Sequence, residues 1–275
     1  MPKLTVAMGA LCLCCAAIAQ PPRVRLAVVN TPDDLLRELA PEFEKQEGYR
    51  IEFAYIGEEP HEAARKGEAD VVISHFGHPG TEPFLADGMG LWPVMIFANQ
   101  AVLIGPPGDP ANLRGVSDAV EAFRRIAESG ARFLVNNAAT ERYLAQVLAE
   151  AAGRSIQADW YVDSGLRDQP AVQAASRMGA YTLWGLPPFL RYKAATADQA
   201  LEVFVSDDSI FQRVMVSMVV NPEKVEGINV EGARALQRFV LLPATQARIR
   251  AFRYPGFDRQ AWWPFGRHNS AARLQ

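Results

Sequence analysis

From Arg23 onward the chain alternates short apolar, β-branched runs with stretches of helical period. The run 23–30 predicts a buried strand, 31–48 a helix, 50–57 an alternating strand, and 69–75 a third strand after a short helix within 59–68. Within the first helix Leu35, Leu36, Leu39, Ala40 and Phe43 form one apolar stripe. Thr31 suits its N-cap, Pro32 its first turn, Asp34 a T-x-x-D capping box and Gly48 its stop. Such strand–helix alternation implies a parallel sheet with helices on its faces.

The segment 92–110 breaks the rhythm. Two apolar runs meet at Ala98, Asn99 and Gln100 and end in a Pro/Gly loop, the pattern of a long strand crossing between two lobes. A second alternating set follows, with helices at 117–129, 139–152, 168–178 and 187–195 and strands at 132–136, 160–164, 180–184 and 201–206. A return strand within 213–224 and two helices, 230–242 and 244–253, close the fold. The division expected is a leader over 1–19, a first lobe over 20–98, a second over 99–212, and a closing segment over 213–275 that ends in an aromatic tail with no assignable place. The fold class is therefore α/β, a two-lobed hinged clamshell, with its ligand at the carboxyl ends of strands and the N-termini of the helices that follow.

The first twenty residues carry Lys3, an apolar stretch from Leu4 to Ala17 and a small-x-small ending at Ala17 to Ala19, which reads as a cleaved secretory signal peptide. Cys12, Cys14 and Cys15 all lie in it, so the exported chain would hold no disulfide and no thiolate chemistry. A net charge of −3 argues against nucleic acid as a partner. No later apolar run reaches the roughly 18–20 residues of a membrane span. The expected product is a soluble, periplasmic or otherwise exported monomer.

In order and spacing, the segments 35–57, 67–75, 84–90, 92–115, 118–135, 160–165, 179–183 and 219–224 resemble the periplasmic tungstate-binding proteins of ABC transporters, within the type II periplasmic solute-binding superfamily. The resemblance implies a receptor that captures a tetrahedral oxyanion, tungstate or molybdate, and delivers it to an ABC permease. That family holds its anion with Thr/Ser hydroxyls, helix N-terminal amides and an arginine in an R-G-D-x-S-G-T loop. Here the matching loops read differently: Asn30 and Thr31 precede Asp33 and Asp34, Gly57 precedes Glu58 and Glu59, and Asn136, Asn137 and Thr140 stand where the arginine loop would be. After the strand at 180–184, Trp184 and Gly185 replace an Asp-Arg-Gly pattern. Carboxylates at 33, 34, 58 and 59 would each repel a dianion by about 1–4 kcal/mol at 4 Å if they faced it; Asp33 and Asp34 are expected to cap their helix and face solvent.

The residues expected to bind the ligand are Asn30, Thr31, Gly57, Glu58, His75, Asn136, Asn137, Thr140, Trp184 and Gly185. A second reading takes His61, His75 and His78 with Glu58 and Glu59 as a His/carboxylate metal or cation site. A third is a clamshell without a ligand, acting as a sensor or interaction module. No H-E-x-x-H, G-x-S-x-G or phosphate-loop motif is present, so neither catalysis nor a cofactor is expected. Trp160, Tyr161, Tyr181 and Phe189 read as lobe core.

Overall fold

The computed structural model describes residues 21–196 and 200–264. The expected leader, with its three cysteines, lies outside the described residues. The first lobe is built on strands β1 (Arg23–Val28), β2 (Arg50–Ile56) and β3 (Val71–His75), with β1 central and parallel to both neighbours. Helix α1 (Asp33–Glu47) buries Leu35, Leu36, Leu39 and Phe43 and stops at Gly48, whose φ of 71° places it in the left-handed region. The expected cap differs: Pro32 occupies the N-cap position and no side chain caps the helix. Proline fixes φ near the helical value, so the chain enters the helix without Thr31.

Two short helices, α2 (Pro60–Arg65) and α3 (Thr81–Ala86), flank β3. The long strand β4 (Val94–Gly105) then runs antiparallel to β9 (Gln212–Val219) over Val94–Gln100. From Ala101 onward it pairs instead with β7 (Thr182–Gly185) and β8 (Glu202–Val205). One strand thus serves two sheets and changes partners between Gln100 and Ala101, while β9 returns beside it to pair with β3. Gly105 sits where a Cβ would lie 2.2 Å from the Tyr181 ring, so only glycine lets that buried ring cross the strand.

The second lobe adds α4 (Ala119–Ser129), β5 (Phe133–Leu134), α5 (Ala139–Ala151), β6 (Tyr161–Val162), α6 (Asp168–Met178) and α7 (Leu186–Ala195). Asp118 caps α4 by accepting the Glu121 amide at 2.8 Å. β5 and β6 pair in parallel and join the larger sheet through a Phe133–Tyr181 bridge. Phe123, Phe133, Trp160 and Tyr181 fill this lobe's core, whereas Phe43, Phe97, Phe239 and Trp262 belong to the first. Helices α8 (Val230–Leu241) and α9 (Pro243–Ala251) close the first lobe. The aromatic tail is part of it: Trp262 is fully buried edge-on to Phe97, and β10 (Trp263–Pro264) pairs with β4. Among the described residues no helix is long and apolar enough to cross a membrane.

Candidate functional site

The two lobes enclose a cavity of about 420 Å³ at the point where β4 changes partners. Asn99, Gln100 and Ala101 form its floor, and the loops after β1, β2 and β3 face the N-termini of α5 and α6 across it. Of the residues expected to bind the ligand, Asn30, Thr31, Glu58, His75, Thr140, Trp184 and Gly185 line this cavity. Gly57, Asn136 and Asn137 are not among the lining residues. Gly57 continues the β1 ladder through its amide to Val28 O. Asn137 turns outward to Asp163 at 2.8 Å and Arg142 at 2.7 Å.

Asn136 acts from behind. It is 1% exposed, and its Oδ1 accepts the amides of Ala138 (3.2 Å) and Asp168 (2.7 Å). One side chain therefore ties the N-termini of α5 and α6 together, and aims two partial positive ends toward the cleft.

The four acids of the first-lobe loops do not all stand as expected. Asp33 and Asp34 do not face solvent as free helix caps; Arg191 of α7 reaches them at 3.1 and 2.8 Å and also donates to Thr31 O. Burial holds the Asp34 carboxyl above its usual range despite Arg191. Glu58 accepts from Asn30 Nδ2 at 2.8 Å and pairs with Arg167, just before α6, at 3.0 Å. Arg167 also holds Asp168 at 3.1 Å. Arginines from the second half of the chain thus neutralise the loop carboxylates that would repel an anion. Glu59 lies at the start of α2, its amide bound to the Tyr55 hydroxyl.

The histidines do not assemble a metal site. His61 is buried against Phe84 and His78, with Nε2 3.2 Å from Thr81 Oγ1. Burial pushes both His61 and His75 down to about 4, so each imidazole is neutral at pH 7. Among the described residues no group of three His, Cys, Asp or Glu side chains is placed to hold a metal ion.

Two cavity residues had no sequence signal. Arg213, at the start of β9, donates from Nη1 to Ile210 O (3.0 Å) and Gln212 O (2.6 Å) and has no ion-pair partner among the described residues. Burial lowers its pKa. Glu141, in the first turn of α5, is 9% exposed and is pushed up to about 7, chiefly by burial and further by Asp168 and Glu58. An arginine at a strand start and an acid in a first helical turn are ordinary in sequence; only the fold brings them to one cavity.

The model for "Bacterial extracellular solute-binding protein" matches residues 24–254. The chain belongs to this family of solute-binding proteins. The tungstate-binding protein TupA of Peptoclostridium acidaminophilum is 30% identical over 231 residues, covering 82% of this chain and 79% of its own. The tungstate ABC transporter structure from Geobacter sulfurreducens aligns with a TM-score of 0.70 at 27% identity, covering 81% of this chain and 95% of its own. The tungstate-binding protein of Desulfovibrio alaskensis G20 gives a TM-score of 0.77 at 24% identity over 88% of this chain and 98% of its own, a likeness of fold. The resemblance read from the sequence is borne out, and with it the two-lobed fold.

Proposed function

We propose that this solute-binding protein is the exported receptor of an ABC importer. It takes a small tetrahedral oxyanion of the tungstate or molybdate kind between its lobes, closes on it as a monomer and presents it to a membrane permease, without catalysis. The observation that carries this reading is Arg213, a half-buried guanidinium with no ion pair among the described residues, in a cavity that also receives the N-terminus of α5. Unpaired guanidinium donors and free helix N-terminal amides are the groups an oxyanion needs. The relatives named for tungstate support the same class of solute. The lobes would swing about the partner exchange in β4 at Gln100 and Ala101 and the entry to β9 after Phe211.

Thermal unfolding in a buffer free of phosphate and sulfate, with tungstate, molybdate, sulfate and phosphate added singly between pH 6 and 8, tests this. A ligand at a hundred times its dissociation constant adds about 2.7 kcal/mol. For a chain of this size that raises the midpoint by roughly 5–10 °C. At least one of the four is expected to do so; no shift with any of them would contradict the oxyanion reading.

A further inference from the structure

Of the other acids that line the cavity, Glu58 and Asp168 have an arginine partner in Arg167, as Asp33 and Asp34 in the first turn of α1 have in Arg191. Glu141 has none among the described residues, although it is nine-tenths buried and lines the same cavity as Arg213. Among the described residues the hydrogen bond it accepts comes from its own backbone amide. An anion placed on Arg213 and the α5 N-terminus would therefore sit against this carboxyl. If both are fully ionised, oxygen atoms that can only accept face one another, and neither is satisfied. One proton between them converts the contact into a charge-assisted O–H···O bond.

Resting on the oxyanion reading above, we propose that the occupied cleft holds one proton between the Glu141 carboxyl and the bound anion. Below pH 7 a fully ionised anion of the tungstate or molybdate kind then enters together with that proton, and above pH 7 the site favours an oxyanion that brings its own hydroxyl. Glu141 is the selectivity-determining residue. The charged groups that act on it are Asp168 of α6, Arg213 of β9 and Glu58 after β2, and His75, His78 and Arg191 line the same cavity. Of these His75 is neutral throughout the window from pH 6 to 8, being pushed down to about 4, whereas Glu141 changes charge near 7.

Calorimetric titration of the wild-type chain and of Glu141→Gln with molybdate and with inorganic phosphate, between pH 6 and 8.5, tests the proposal. Phosphate keeps at least one hydroxyl across this range, and molybdate has none to give. The wild type is expected to lose molybdate affinity by about tenfold per pH unit above 7, the slope of one linked proton, and to hold phosphate without that slope. Repeating the titration at pH 8 in two buffers of different ionisation heat should register one proton taken up with molybdate and none with phosphate, a readout that needs no variant. Glu141→Gln is expected to bind molybdate with a flat pH profile and to lose the preference for phosphate at pH 8. Wild-type molybdate binding that is flat with pH, or a slope unchanged in Glu141→Gln, overturns this proposal alone. Failure of both proteins to bind either anion at any pH overturns the oxyanion reading and this proposal with it.

Discussion

Replacing Asp70 by alanine is expected to lower the stability of the protein by about 3–5 kcal/mol, the cost of removing one partner from a buried ion pair. The side chain is 1% exposed and lies just ahead of β3. Its Oδ2 accepts the Arg25 amide at 2.7 Å, and its Oδ1 accepts Arg25 Nη2 at 2.6 Å and the Asn229 amide at 2.9 Å. These bonds fasten β1 to the turn that leads into α8, across more than two hundred residues of chain. Without them the Arg25 guanidinium keeps Gly67 O and Gly227 O, but two backbone amides lose their acceptor. Asp70→Asn retains one carbonyl oxygen and should cost less. Urea unfolding of the two variants measures both losses; a cost for Asp70→Ala under about 1 kcal/mol would show that the pair contributes little beyond packing.

A loss of similar size, about 3–5 kcal/mol, is expected for Trp262→Ala. The indole is fully buried, its ring centroid 5.3 Å from that of Phe97 in an edge-on arrangement on β4. Alanine would leave a void between β4 and the closing segment, and would loosen the β10 pairing of Trp263 with Ala98 beside it. Because Phe97 and Ala98 lie on β4 three and two residues before the partner exchange begins at Gln100, the tail also stiffens the strand that joins the lobes. Denaturant unfolding that left the midpoint of Trp262→Ala unchanged would mean that the tail is only laid against the surface.

Local pattern made most of the architecture legible, because burial on one face of a helix or on both faces of a strand leaves a period in the sequence. The expected helix at 168–178 coincides with α6, and the α1 stripe is buried as read. The two-lobe arrangement followed from the doubled alternation and from the long run that became β4. The short strands β5 and β6 keep only two residues each of the longer runs 132–136 and 160–164. The apolar content of those runs reflects burial beneath helices rather than the length of the ladder. The tail was illegible because no alternation marks it; Trp262 is buried by tertiary contact with Phe97.

The site was legible in outline and not in its charges. Loops that follow strands are local features, so Asn30, Thr31, Glu58, His75, Thr140, Trp184 and Gly185 could be named from their places alone. Which charges oppose which is a long-range matter: Arg191 lies 158 residues from Asp33 and turns its repulsion into a pair. The aspartates expected at solvent are paired for that reason, and nothing in the neighbouring sequence sets Arg213 and Glu141 apart.

The central claim, an anion held between the lobes, is tested most directly by tungsten anomalous scattering from crystals of the protein grown with tungstate at pH 6. One strong peak is expected in the interlobe cavity, within hydrogen-bonding distance (about 3 Å from its oxygens to nitrogen) of the Arg213 guanidinium and the first amides of α5. A peak elsewhere on the surface, or an empty cavity at saturating tungstate, would contradict it.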